Sequence, residues 1–169
     1  MTGLLDSAGR ELPPSEAPDD KTLRAYGDAV FLAMRSQRHA VTTVAALRAS
    51  FEPPLVLGQY RVFRFDGVPR AMITWGWFSR EVEKTYVGGG LLRSEDWRSG
   101  DHLWLVDLVA PYRGLTSSLV RWIMTPGNFA EREYWFRRVR DGNRTRKIVH
   151  VRVDRTTDKA RILTEADFQ

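Results

Sequence analysis

The sequence predicts a mixed α/β domain with a largely antiparallel sheet flanked by helices. Three observations carry that class. Patterned segments follow the order helix, helix, hairpin, helix, single strand, helix, hairpin. The single strand, Leu103 to Pro111, is apolar in both period-2 sets, so it is expected to be buried on both faces. Strict strand–helix alternation and internal repeats are both missing, which argues against a doubly wound parallel sheet or a solenoid.

Residues 1–20 contain Pro13-Pro14, Pro18 and five acids against Arg10, and read as a flexible acidic tail. Residues 21–169 form the expected domain. Thr22 is placed to cap a helix running to about Gln37, with Tyr26, Val30, Ala33 and Met34 as its apolar stripe. A second helix is expected near Val41 to Phe51, stopped by Pro53-Pro54. Gln59 to Phe65 and Arg70 to Phe78 read as antiparallel strands about Asp66-Gly67, with Trp75, Trp77 and Phe78 turned into the core. Arg80 to Tyr86 fits a short helix. Gly88-Gly89-Gly90 is a connection and not a phosphate loop, since no Gly-Lys-Ser/Thr follows it. Ser94 to Asp101 is a polar turn before the buried strand. Tyr112-Arg113-Gly114 makes a tight connection to a helix over Leu115 to Met124. Glu133 to Val139 and Arg146 to Val153 form a basic hairpin around Asp141-Gly142-Asn143. No motif stands out after Thr156.

Within the buried strand one residue is anomalous. Asp107 shares the period-2 face of Leu103, Leu105 and Val109, opposite Trp104, Val106 and Leu108. An ionised carboxylate there is costly unless it is paired or hydrogen-bonded. It is either a structural anchor or part of a site.

Composition narrows the chemistry. The chain has 169 residues, 43% of them hydrophobic, and includes six Trp, so a real core is affordable. It has no Cys, hence no disulfide, thiolate metal site or Cys nucleophile, which fits a cytoplasmic setting. No apolar run approaches the ~20 residues that span a bilayer, and the acidic start is unlike a signal peptide. Net charge is +5, but residues 1–20 carry −4, so the remainder carries +9. A basic body favours an acidic partner: nucleic acid, an anionic membrane or an acidic protein. Arg137, Arg138, Arg140 and Lys147 beside Tyr134, Trp135 and Phe136 admit either a nucleic-acid face or a solvated sheet face with inward aromatics.

Three histidines are available. His102 and His150 read as ordinary strand residues. His39 lies at the junction of two helices, near Ser36 and two arginines, and can be either structural or functional. No pair has metal-ligand spacing, and a Gly-x-Ser-x-Gly elbow is absent, so neither a metal nor a hydrolase serine is indicated.

His39 and Asp107, taken with five ordered blocks, resemble the RTX toxin-activating lysine acyltransferases. The blocks are Ser36-Gln37-Arg38-His39 with Leu57-Gly58-Gln59-Tyr60; Ala71-Met72-Ile73-Thr74-Trp75; Val82-Glu83-Lys84-Thr85-Tyr86; Glu95 to Asp101 running into Trp104 to Pro111; and Phe136 to Arg140. The resemblance covers about Phe31 to Arg155. It implies a GNAT-like single domain that uses acyl-acyl carrier protein as donor, with no tightly bound cofactor and no metal. The catalytic histidine of the family falls on His39 and its aspartate on Asp107. A serine with no settled role falls on Ser36. The expected partners are acyl carrier protein and an RTX-type protoxin, not nucleic acid, with a homodimer as the expected assembly. The sequence departs from the family at Ala40-Val41-Thr42-Thr43, where a Trp-Pro pair is usual, and at Val153 to Thr156, where a Gly-rich stretch is usual.

A lysine acceptor has an ordinary pKa of ~10.4 and must lose its proton before attack. An imidazole is the suitable base near neutrality, with Asp107 orienting His39 through its other nitrogen. A prior acyl-His39 intermediate is the alternative route. Backbone N–H groups from Ala110 through Tyr112 and Arg113 to Gly114 are expected to hold the thioester oxygen or pantetheine. Arg137, Arg138, Arg140 and Lys147 are expected to steer the acidic donor protein. Two other functions compete: a GNAT-like transferase acting on a small amine with acyl-CoA, and a non-enzymatic basic binding module. The catalytic reading requires direct or one-water contact between His39 and Asp107.

Overall fold

In sequence order the described residues lay down six strands that stand in the same order in space, β1 to β6. The computed structural model describes residues 5–140 and 143–168. The strands are β1 Tyr60–Phe65, β2 Val68–Phe78, β3 His102–Val109, β4 Glu133–Val139, β5 Thr145–Arg152 and β6 Ala160–Leu163. Every neighbour pair is antiparallel except β3 with β4. The helices are α1 Asp20–Ala33, α2 Val44–Val56, α3 Arg80–Val87 and α4 Leu115–Ile123. This is the mixed, largely antiparallel sheet flanked by helices that the residue patterns predict.

The two sheet faces divide the helices. On one face Ile73, Leu103 and Leu105 pack with Ile123 of α4 and with Tyr134, Val149 and Val151. On the other, Met72 and Val109 pack with Ala25, Ala29 and Leu32 of α1 and Phe51 and Leu55 of α2. Further along that second face Phe78 and Trp104 pack with Tyr86 and Val87 of α3.

Several sequence expectations need correction. Asp19, not Thr22, caps α1: its carboxylate accepts from the Thr22 amide at 2.7 Å. The Asp19 carboxylate stands one turn before Thr22 and so reaches a free N–H of the first turn, that of Thr22 itself. The helix also ends at Ala33 rather than Gln37. From there the chain tightens into i→i+3 turns, with Arg35 N–H bonding Leu32 O and Ser36 N–H bonding Ala33 O. Pro53 and Pro54 lie inside α2 instead of stopping it. The carbonyls they leave without a helical donor belong to exposed Ala49 and Ser50, where water can take the bond. Trp77 is 38% exposed rather than buried. The stretch without a motif contains β6, which pairs with β5, and Phe168, whose ring lies 5.8 Å from that of Trp104. In the basic hairpin, Asp141-Gly142 lies outside the described residues.

The largest correction concerns Asp107. Thr74 pairs with Asp107 but the next residue, Trp75, pairs with Leu105. Val106 is therefore the extra residue of a β-bulge. Beyond it the alternation changes phase. Leu108 joins Leu103 and Leu105 on the α4 face, while Asp107 and Val109 move to the face of Trp104, under α1 and α2. Tyr86 Oη donates to the Val106 carbonyl at 3.4 Å.

Within the stretch expected as a tail, Leu5 bridges Glu11, Pro14–Glu16 forms a 3-10 turn, and Arg48 reaches Glu16 at 3.3 Å.

Candidate active site

The tight turns after α1 build the first half of the site. The His39 N–H bonds the Ser36 carbonyl, so residues 36 and 39 stack on one side of the turn. Their side chains meet, with Ser36 Oγ 2.8 Å from His39 Nδ1. Thr43 then caps α2 by accepting from the Ala46 amide. Phe51 on α2 stacks against the imidazole, with ring centroids 5.9 Å apart. Arg35 donates to the Phe31 carbonyl at 2.8 Å, a cation at the carboxyl end of α1 where the helix dipole favours one.

The bulged strand supplies the second half. His39 Nε2 lies 2.8 Å from Asp107 Oδ2 in an aligned hydrogen bond. Arg38 Nη2 donates to Asp107 Oδ1 at 2.7 Å, and the Leu108 amide donates to the same oxygen at 2.8 Å. His39 and Asp107 are 7% and 9% exposed. A carboxylate can only accept, so Nε2 carries the proton of that bond. In the neutral ring Nδ1 then holds the lone pair and accepts from the Ser36 hydroxyl. Arg38 Nη2 also passes 3.2 Å from Nε2, and both donors converge on the carboxylate.

Burial pushes the Asp107 carboxyl up, but the His39 hydrogen bond, the Arg38 charge and the Leu108 amide together hold it below the ordinary carboxylate range. The result is a buried carboxylate held in its charged form at neutral pH, partnered on both oxygens, beneath a buried imidazole. Such a unit can fix a tautomer and stabilise an imidazolium.

The structure thus brings His39, Asp107 and Ser36 together. Arg38 and Phe51 join the site as contacts that the sequence pattern does not single out. Arg38 had a signal in its adjacency to His39. Phe51 had none beyond lying on the apolar side of its helix.

The other expected residues are more dispersed. Tyr112 packs against the α1–α2 core and lies under the Arg70 guanidinium at 5.1 Å. Gly114, at φ +82°, forms the turn into α4, whose first amides have no side-chain cap. Ala110 and exposed Arg113 lie on that same connection. Arg138 and Lys147 stand opposite each other on β4 and β5, both exposed. Arg140 is also exposed. Arg137 instead turns inward, donating to Asn143 and Thr145 and lying 4.0 Å over the Tyr86 ring.

The parallel β3–β4 ladder consists of Trp104–Trp135 and Leu105–Phe136. Beyond it the Asp107 end of β3 is paired with β2 alone. Both strands run the same way, so the carboxyl ends of β3 and β4 and the amino end of α4 lie at one end of the sheet. Among the described residues no group of His, Asp and Glu could hold a metal ion. Nor is any described helix long and apolar enough to cross a membrane.

Comparison with known proteins gives this geometry a family. The RTX toxin acyltransferase family model matches residues 19–152. The protein-lysine palmitoyltransferase CyaC of Bordetella bronchiseptica is 33% identical over 108 residues, covering 60% of this chain and 57% of that protein. The RTX-II toxin-activating lysine-acyltransferase ApxIIC of Actinobacillus pleuropneumoniae is 31% identical over 87 residues, 51% of this chain and 54% of its own. The protein-lysine myristoyltransferase RtxC of Kingella kingae is 30% identical over 87 residues, 51% of this chain and 52% of its own. The matched stretch spans a little over half the length of each of these relatives. The family match runs from the residue that caps α1 to the last residue of β5, over every element that positions His39 and Asp107, and the chain belongs to the RTX toxin acyltransferase family.

Proposed function

We propose that this chain moves a fatty acyl group from the thioester of acyl carrier protein to a lysine ε-amine of an RTX-type protoxin. The observation that carries this reading is the aligned series Ser36 Oγ, His39 Nδ1, His39 Nε2, Asp107 Oδ2. The names of the relatives supply the reaction class.

The chemistry follows from which nitrogen is free. Nε2 is committed to Asp107, so Nδ1 is the working base. The Ser36 hydroxyl caps it and is displaced by the entering amine or relays its proton. The lysine first gives up its ammonium proton to solvent; the neutral nitrogen then attacks the thioester carbonyl carbon, and Nδ1 accepts one of its two remaining protons. The C–N bond forms, the C–S bond breaks, and the imidazolium returns its proton to the departing thiolate. Asp107 stabilises the imidazolium throughout. A ring this buried, stacked on Phe51 and capped by Ser36, favours direct transfer over an acyl-imidazole intermediate.

The donor reading rests on the shared end of β3, β4 and α4. The uncapped amides after Gly114 suit the pantetheine phosphate or the carbonyl oxygen. Arg138, Arg140 and Lys147 suit the acidic carrier, whereas Arg137 is already taken up by Asn143, Thr145 and Tyr86.

Intact-mass analysis of a protoxin fragment tests the proposal. Incubation with acyl-acyl carrier protein is expected to add whole acyl units to lysine. No gain with that donor, together with acylation of a small amine from acyl-CoA, would move the chain to the small-amine class.

A further inference from the structure

A second surface lies at the opposite sheet edge from the basic hairpin. β1 is an outer strand of the sheet, and among the described residues nothing pairs with its outer side. The Trp75 amide bonds the Gln59 carbonyl at 3.0 Å. Bonded pairs alternate along an antiparallel ladder, so Arg61–Ile73 and Phe63–Ala71 are bonded as well. Tyr60 and Val62 therefore turn their N–H and C=O groups outward. These are the groups that an added strand would use.

That edge opens on a groove of about 490 Å³ between the start of α1, the end of α2 and β1. Lys21, Arg24, Arg61 and Arg64 line it, against one acid, Asp19, but the Arg61 guanidinium turns to the other sheet face, over the Trp122 ring. The Asp19 carboxylate is engaged in capping α1, and Arg64 pairs with buried Asp28. Lys21 and Arg24 are exposed on the first turns of α1. A free strand edge asks for an extended polypeptide, and the surplus of cations asks for an acidic one.

We infer that the groove along β1 docks an extended acidic segment of the acceptor polypeptide by strand addition. This rests on the acyltransferase reading for the identity of the polypeptide. Tyr60, Thr74 and Asp107 form one cross-strand row. A strand added outside β1 lies three strand spacings from Asp107, ~14 Å, beyond the reach of a lysine side chain. The groove therefore holds a segment flanking the modified lysine. It acts on acceptor affinity and leaves the chemical step alone.

The test begins with binding, which needs no acyl transfer. A fluorescein-labelled peptide of alternating Glu and Val is titrated against the intact chain by anisotropy. Binding is expected, with slowed amide exchange at Tyr60 and Val62, and it persists in His39→Ala. Lys21→Glu/Arg24→Glu weakens it at least about tenfold, as does N-methylation of alternate peptide residues. No binding, equal binding of a Lys-Val peptide, or full binding of the N-methylated peptide would overturn strand addition while leaving the transferase reading untouched. In the transfer assay Lys21→Glu/Arg24→Glu is expected to raise KM for the protoxin about tenfold at unchanged kcat. A rise in the donor KM instead would overturn the assignment to the acceptor.

Discussion

β3 carries two histidine–carboxylate pairs on one face, and they are built differently. At one end His39 meets Asp107 at 2.8 Å; at the other, His102 meets Glu83 at 2.7 Å. Both carboxylates are buried. The distances alone do not separate them. Alignment does: Asp107 lies on the Nε2–H direction of His39, whereas His102 Nδ1 has no aligned hydrogen bond despite its close contact. Glu83 instead accepts from the Trp104 indole N–H at 2.8 Å, and the His102 ring stacks on Trp135, which stacks in turn on His150. His102 is thus part of an aromatic wall. His39 instead keeps a second nitrogen against a half-buried hydroxyl, with its carboxylate fixed by Arg38 and a backbone amide. A buried histidine–carboxylate pair becomes a candidate for catalysis when one ring nitrogen is held and the other is left something to exchange with.

Substitutions at the two ends sharpen that contrast. Asp107→Asn is expected to reduce kcat by about 10²-fold or more, because an amide can present its NH₂ to Nε2 and disturb the tautomer. A steady-state transfer assay reads this directly. Deleting Val106 takes out the unpaired residue and leaves Asp107 opposite Thr74, on the face it already occupies. The deletion variant is expected to keep kcat within about tenfold of wild type, with β3 still paired in amide-exchange measurements. A loss as large as that of Asp107→Asn would mean that the bulge itself, and not only the face it selects, aims the carboxylate.

Smaller effects are expected at the other end. Glu83→Ala leaves the Trp104 N–H buried without an acceptor and is expected to cost about 1–3 kcal/mol in urea unfolding. Its transfer rate should stay within about threefold of wild type. Acid titration gives the smallest signal. Asp107 is held below its unfolded value of ~3.9, so its stabilisation is complete above that pH and is lost as pH falls through the lower folded value. Asp107→Asn should flatten that acid limb of stability, and a limb unchanged in the variant would mean that the carboxylate is not held low.

Much of this is legible in the sequence. The apolar run around Asp107 announced a buried strand, and Asp66-Gly67 announced the β1–β2 turn. His39 stood out by its place between two helices. The bulge was not readable, because no glycine marks it and Val106 looks like any strand residue. It reversed the face assigned to Asp107 and so decided what that residue could touch. Pro53 and Pro54 misled because local preference was outweighed by the packing of Phe51, Pro54 and Leu55 against α1 and the sheet. β6 was missed because a four-residue edge strand with three exposed side chains has little pattern to show. Arg137 looked like its neighbours in sequence, and only the pairing of β4 with β5 turns it inward.

The two histidines provide the most direct test of the account. His39→Ala and His102→Ala are compared in one assay, with acyl-acyl carrier protein as donor and lysine acylation of the protoxin fragment read by mass. The account predicts a fall in kcat of about 10²- to 10⁴-fold for His39→Ala, with His102→Ala within about threefold of wild type. Equal losses at the two positions, or near-full activity in His39→Ala, would contradict it.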